Sequence, residues 1–215
     1  MATAVTFDAA SHRYTIDGRE LAAVTKIIGR VIRKPGLERW IGNVGNLEAE
    51  RRKEEAGERG TLVHALASLH AEGTPDIPLG GESAIRPQLR LFEQWYADNV
   101  QDMLACELIV HHPRYDYVGT LDFLVRLRGD RIPTVIDVKS GAAMWPEMRY
   151  QTAAYREAVL LGMLYEQGIK DCRRAIVQVA EGAVIARFHE HTEHALDFEG
   201  FLACLYLYHD LRRGI

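Results

Sequence analysis

The sequence predicts an α/β fold: a central mixed β-sheet of about five strands flanked by helices, with a helical elaboration at the N-terminus. Three observations predict it. Apolar residues recur at helical spacing through most of the first 101 residues. Three β-rich runs then follow one another between residues 103 and 141. After them, helical and strand patterns alternate to the end of the chain. The 215 residues are read as one domain, with residues 1–58 as an N-terminal hairpin and helical elaboration and residues 59–215 as the core.

Each element has a local reason. Residues 6–21, "TFDAASHRYTIDGREL", read as a small hairpin set with Asp17-Gly18 as a tight turn. Thr25 is placed to cap the helix that follows, and Pro35-Gly36 breaks it. Residues 37–57 are charged and helical, ending near Gly57. A separate helix then carries Leu62, Val63, Leu66 and Leu69 on its apolar side. "GTPDIPLGGES", residues 73–83, is a loop by composition, and residues 84–101 form a helix with Pro87 near its start. "MLACELIVHHP", "YVGTLDFLVRLRG" and "RIPTVIDVKSG" are strands. Residues 147–164 are helical, "RRAIVQVAEGAVIARFH" is a hairpin turning at Glu181-Gly182, and residues 194–212 close the chain as an amphipathic helix.

Composition narrows the function class. Hydrophobic residues make up 47% and charged residues 26%, as in a soluble globular protein. No apolar run approaches the roughly 18 residues of a membrane span, so no membrane partner is expected. The first residues lack the basic-then-apolar pattern of a secretory signal. Cys106, Cys172 and Cys204 form no CxxC pair and no even framework, which points to a reducing, cytoplasmic setting. Net charge is −4, so nothing global advertises a nucleic-acid partner. Charge is uneven, however: residues 1–60 hold 11 Lys/Arg against 9 Asp/Glu, which leaves 15 against 21 in the remainder. Lys26, Arg30, Arg33 and Lys34 fall on one face of a helix, either as a solvated face or as a phosphate-contacting stripe.

The chemistry concentrates in "TVIDVKSG", residues 134–141. Alternate side chains of a strand share a face, so Asp137 and Lys139 point one way and Ile136 and Val138 the other. With Gly129-Asp130 as a two-residue turn, Asp122 and Asp137 become direct cross-strand neighbours, their Cβ atoms about 4.5–5.5 Å apart. Like charges so placed are destabilising unless a cation accompanies them. Two such carboxylates suit a hard divalent cation, Mg²⁺ or Mn²⁺. The bland alternative is a surface Asp–Lys pair beside an unrelated acid. Pro133 adds another, because it cannot donate to the ladder and favours a bulge.

The order of motifs extends this reading. Gly60-x-x-x-His64, Glu107, Gly119-Thr120-Leu121-Asp122, Asp137-Val138-Lys139-Ser140-Gly141 and Gln151-x-x-x-Tyr155 together resemble the RecB-like branch of the PD-(D/E)XK nuclease superfamily. That branch includes bacterial and phage exonucleases. The resemblance spans residues 60–155. It implies a metal-dependent deoxyribonuclease, an exonuclease before an endonuclease, with a DNA-binding module on an inactive nuclease fold as the non-enzymatic alternative. It implies His64, Asp122, Asp137 and the Val138 carbonyl as ligands of Mg²⁺ or Mn²⁺. Lys139 would be the catalytic lysine, Glu107 a supporting acid, and Gln151 and Tyr155 a helix face toward the site. DNA is the implied partner, in a bacterial or phage-infected cell and in DNA processing, recombination or repair. Unwinding would need a separate helicase, recombinase or single-strand-binding partner, since no helicase motif is present. Several relatives hold an iron–sulfur cluster on four cysteines; three at these spacings cannot, so no iron–sulfur cluster is expected.

Two further groups stand out. His189, His191 and His194 lie close in sequence, but where a strand passes into a helix and with no cysteine near, so zinc is the minor reading. Trp145, beside Arg149, is a candidate for stacking on single-stranded bases, with burial in a loop as the alternative.

Overall fold

A computed structural model of the chain describes residues 5–9, 11–73 and 85–213. Most of the loop expected at residues 73–83 lies outside the described residues, as does residue 84 of the helix after it. Strands β1 (Thr6–Asp8), β2 (Arg13–Ile16) and β3 (Arg19–Glu20) form a small antiparallel sheet. Its second turn is the expected one. Ile16 pairs with Arg19, and Asp17 and Gly18 both take positive φ, at 49° and 76°, as a twist-matched two-residue turn requires.

The main sheet holds β4 (Ala22–Ala23), β5 (Val100–His112), β6 (Tyr117–Leu127), β7 (Thr134–Lys139), β8 (Arg173–Gln178) and β9 (Arg187–Glu190). It is mixed: β5–β6, β6–β7 and β8–β9 are antiparallel, while β4–β6 and β7–β8 are parallel. Among the described residues, six strands therefore stand where about five were expected. The addition is β4, too short to be read from alternation.

Helices α1 (Val24–Val31), α2 (Pro35–Val44), α3 (Asn46–Ala71), α4 (Arg86–Asn99), α5 (Met148–Leu161), α6 (Met163–Glu166) and α7 (His194–Arg213) cover the sheet. On one face, residues of α1, α5 and α7, such as Ile27, Ala154 and Phe201, pack with Tyr117, Leu124 and Val135. On the other, Val63 and Leu66 of α3 and Phe92 and Trp95 of α4 pack with Phe123, Ile136 and Val138. Covering both faces accounts for the burial of β7 from Thr134 to Val138. Among the described residues, no helix is long and apolar enough to cross a membrane.

Several boundaries differ from the expectation. The break in the charged N-terminal region falls at Gly45, not Gly57. Gly45 adopts φ 86°, a conformation that L side chains rarely reach. Gly57 sits inside α3 at only the modest cost of a mid-helix glycine. Two expected helices are thus one, and His64 belongs to a 26-residue helix. The α1 helix is preceded by Ala23 without a side-chain cap, so Thr25 does not cap it. It also stops at Val31, because Ile32 is extended and Lys34 precedes proline. Arg33 and Lys34 therefore leave the helical stripe of Lys26 and Arg30.

Candidate metal centre and cleft

The β6–β7 ladder pairs Phe123 with Ile136, Leu124 with Val135 and Val125 with Thr134. Continuing this register sets Asp122 opposite Asp137, although residues 128–133 form a longer connection than the expected two-residue turn. Beyond Phe123 the two strands part. The edge of β6 that β7 leaves is taken up again by β4 at Tyr117 and Val118. Residues 119–122 lie in the interval, where the backbone ladder gives way to side chains. Asp122 Oδ2 accepts the Val138 amide N–H at 2.6 Å, and so continues the pairing by one carboxylate.

The opposite strand is irregular at the same level. Its ladder with β6 runs from Cys106↔Phe123 to Leu108↔Leu121 and steps over Glu107 and Asp122. Glu107 has φ 48°, uncommon for a residue with a side chain and costing of order 1–3 kcal/mol. The facing of β6 changes phase here: Tyr117 and Gly119 look toward α5 before the break, and Leu124 does so after it. A strict two-residue alternation would not place these side chains so.

Four charged groups meet at the break. His64 Nδ1 lies 3.2 Å from Asp122 Oδ2. Lys139 Nζ lies 2.6 Å from Asp137 Oδ2, off the direction of a good hydrogen bond, and that buried oxygen has no other donor. Asp137 Oδ1 accepts from Gln151 Nε2 at 2.8 Å, and the same amide reaches the Tyr155 hydroxyl at 3.2 Å. Glu107 Oε1 accepts from Ser68 Oγ at 3.1 Å. All six of the residues expected to be catalytic, with His64, line one cleft of about 730 Å³.

The electrostatics separate the two aspartates. Burial opposes ionisation of Asp122, but His64, Lys139 and the Val138 amide outweigh it and hold the carboxyl below its ordinary range. Asp137 is raised, by burial first and with Asp122 adding to it against Lys139. The Asp122 carboxylate lifts His64 to about 9 in spite of burial. Burial raises Glu107 as well, and Asp122 adds to this. Burial keeps Tyr155 protonated far above 10.

Among the described residues, no three His, Cys, Asp or Glu side chains are already converged as a finished metal cage. The donor chemistry nonetheless suits a hard divalent cation: carboxylate oxygens from Asp122 and Asp137, a carboxylate at Glu107 and, once its proton is displaced, the His64 imidazole. Here His64 and Lys139 balance the two carboxylates. Asp137 Oδ2, buried, is met by the Lys139 ammonium at 2.6 Å and has no further hydrogen-bond partner, so it keeps lone-pair capacity for a cation.

Supporting residues came to light that sequence reasoning missed. Gln88 Nε2 bonds the Ser140 and Val179 carbonyls, and Gln178 Nε2 bonds those of Gly141 and Ala142. These two amides fasten the turn after Lys139. Ser68, four residues after His64 on α3, could have been found from that helical spacing. Gly119 is also explained, since a Cβ there would lie 2.5 Å from Tyr155 Cε1.

The residues expected to contact DNA lie outside this cleft lining. Lys26 pairs with Glu20 at 3.2 Å and Arg33 with Glu38 at 2.9 Å; Arg30 is exposed on α1. Lys34 pairs with Glu147 at 2.7 Å and stands over the Trp145 ring, which also faces Gly36. Arg149 bonds the Tyr150 hydroxyl and approaches Asp197. Each of the three clustered histidines has its own neighbour: His189 meets Gln178, His191 meets Thr152, and His194 accepts from Arg174.

The sequence matches no family model and no curated protein. Among solved structures, the chain is similar to a protein from Eubacterium rectale provisionally named an exonuclease, with 12% sequence identity and a TM-score of 0.44. The match covers 69% of this chain and 64% of that one, so the chain spans less than two thirds of its neighbour's length. So loose a likeness carries no weight for function, which rests on the cleft itself.

Proposed function

We propose that this chain is a Mg²⁺- or Mn²⁺-dependent deoxyribonuclease of the PD-(D/E)XK type, in its RecB-like branch, acting as an exonuclease on DNA in a bacterial or phage-infected cell. The observation that carries the reading is the break in β6. There a sheet edge is left open, Glu107 takes a strained backbone, and Asp122, Asp137, Lys139 and His64 come together. Strand irregularities of this kind are typical beside active sites. Two acids and a lysine at an open sheet edge also give a polar cleft into which a strand can pass.

Asp122, Asp137, His64 and the Val138 carbonyl would hold the cation, with Glu107 in support. When bound, such a cation lowers the pKa of water and neutralises charge on the scissile phosphate. The protein's own groups do the positioning. Gln151 fixes the orientation of Asp137, and the Val138 amide fixes that of Asp122. Lys139 Nζ presents a positive donor beside Asp137, able to orient a water or to hydrogen-bond a phosphoryl oxygen as negative charge grows there. A water so oriented would attack the phosphorus in line, giving its proton to solvent as the P–O3′ bond breaks and the leaving 3′ oxygen takes one up. A helicase, recombinase or single-strand-binding protein is the kind of partner that would deliver such a strand.

End-labelled linear DNA and closed circular DNA, incubated with wild type and Lys139→Ala in Mg²⁺ or Mn²⁺, test this. We expect loss of the linear substrate alone, abolished by the substitution. Cleavage of both substrates would make the enzyme an endonuclease. Cleavage of neither, with DNA still bound, would leave a binding module on a nuclease fold.

A further inference from the structure

The cleft continues past the carboxylates to the N-terminal hairpin, where Phe7, His12 and Tyr14 join its lining. Tyr14 is buried, and its hydroxyl meets Thr120 Oγ1 at 2.8 Å. Thr120 is two residues before Asp122 on β6, so the hairpin is fastened to the strand that carries the site. Phe7 packs on Tyr14 with ring centroids 4.6 Å apart, and the His12 ring stands nearly perpendicular to it at 5.2 Å and 82°. Tyr14 serves as the base of this cluster, while Phe7 and His12 remain exposed at the cleft. A phenyl ring held at the mouth of a polar cleft gains nothing from water there. The tryptophan that the sequence offered for stacking, Trp145, is instead covered by Lys34 and Gly36.

We propose that Phe7 and His12 form a base-stacking subsite that receives an unpaired nucleobase of the strand end whose phosphate lies at Asp122 and Asp137. This deepens the nuclease reading and rests on it. Every nucleobase has a π-face, so such a platform is tolerant of sequence. The terminal base of a blunt end has one free face but is held by pairing and by stacking on its neighbour, so bringing it onto the platform requires unpairing it first. The subsite therefore selects single-stranded, overhanging or frayed DNA ends over blunt duplex ends. Phe7 and His12 are specificity residues, on the N-terminal hairpin and not among the groups assigned to the metal and the water.

The test uses the full chain and an oligonucleotide with 2-aminopurine as its terminal base, whose fluorescence falls on stacking. Binding is measured in Ca²⁺, a hard cation with the same oxygen preference, and cleavage in Mg²⁺ or Mn²⁺. Wild type is expected to quench the probe. Phe7→Ala should bind single strands roughly fivefold or more weakly, the lower end of a lost base–aromatic stack. Phe7→Trp should retain both quenching and affinity. His12→Gly, which suits the left-handed backbone of residue 12 (φ 53°), should weaken binding less than Phe7→Ala. In cleavage, Phe7→Ala should raise KM for single strands with kcat unchanged, and so lower the preference over blunt duplex. Cleavage by wild type without quenching, and unaltered in both truncated variants, would overturn the subsite and leave the nuclease standing. Quenching that depends on Phe7, with no cleavage in any metal, would keep the subsite and remove the nuclease. Failure to bind or cleave any of these DNAs would remove both. Circular dichroism of each variant guards against misfolding.

Discussion

At Gly119 the backbone of β6 passes so close to α5 that a single methyl group would collide with the Tyr155 ring at 2.5 Å. Tyr155 shares the Gln151 amide with Asp137, so the glycine gives room to the residues that orient a site carboxylate. Overpacking of this kind costs about 1–3 kcal/mol. Gly119→Ala should lower the denaturation midpoint by a corresponding amount and reduce the proposed nuclease activity. Gly119→Ala with Tyr155→Ala should lose less than the two singles added together, and a double-mutant cycle by urea unfolding checks this. Gln151→Leu acts one step later in the same chain. It leaves Asp137 Oδ1 without its donor, and the loss expected for a group that orients a proposed metal ligand is about 10–100-fold in the proposed activity. Steady-state rates across a Mg²⁺ titration would show whether the loss lies in metal affinity. An unchanged metal dependence with unchanged rate would remove Gln151 from the positioning role.

Between elements, the joint that sets α5, β8 and α7 against one another is polar. Arg174 on β8 is fully buried and donates to the Arg149 carbonyl at 2.7 Å, to Thr152 Oγ1 and His194 Nδ1 at 3.0 Å, and to Asp197 on α7. Its guanidinium thus meets acceptors on two helices at once, the planar fork for which arginine suits such sites. Asp197→Ala would strand that charge in the interior, at an expected cost of about 3–5 kcal/mol. Arg174→Met with Asp197→Leu, which removes both charges, should restore most of the stability, as measured by thermal or denaturant unfolding. A second joint between α5 and α7 is steric. A Cβ at Gly200 would lie 2.4 Å from the Tyr150 ring, so Gly200 is the notch into which α5 docks. Neither joint contacts the cleft, and their variants should shift stability before activity.

For the molecule as a whole, three histidines held neutral by burial contribute to the acid side of its stability. Burial, with Arg174 adding, holds His191 down to about 4, and burial lowers His194 and His112 as well. The neutral forms belong to the fold. Above the unfolded value near 6.5, neither state binds the proton and the full stability is present. As pH falls below 6.5, the unfolded chain takes up protons that the fold refuses, and stability declines until His191 also titrates near 4. The denaturation midpoint should therefore fall between pH 6.5 and 4, and His191→Asn should flatten that slope. An unaltered slope in the variant would show that His191 is not held neutral.

Local chemistry was legible in the sequence wherever it depended on neighbours in the chain. The Asp17-Gly18 turn follows from two residues that tolerate positive φ. The closing helix at residues 194–213 follows from its apolar spacing. Even the register that sets Asp122 across from Asp137 could be counted, because pairing on either side of a turn is symmetric about its centre. Gly57 misled because a mid-helix glycine costs little, while Gly45 broke the helix through a φ that spacing does not encode. The stripe from Lys26 to Lys34 dissolved for a similar reason: Pro35 ended the helix, and Glu38 and Glu147 claimed two of its cations. What only the tertiary structure decided is which side chains share the cleft. Ser68 and the Phe7 hairpin reach it, and Gln88 and Gln178 fasten the turn beside it, through contacts that span tens of residues and leave no period in the sequence. The break at Glu107 and Asp122 arises in the same way, where β7 and β4 divide one edge of β6 and leave an interval open for chemistry.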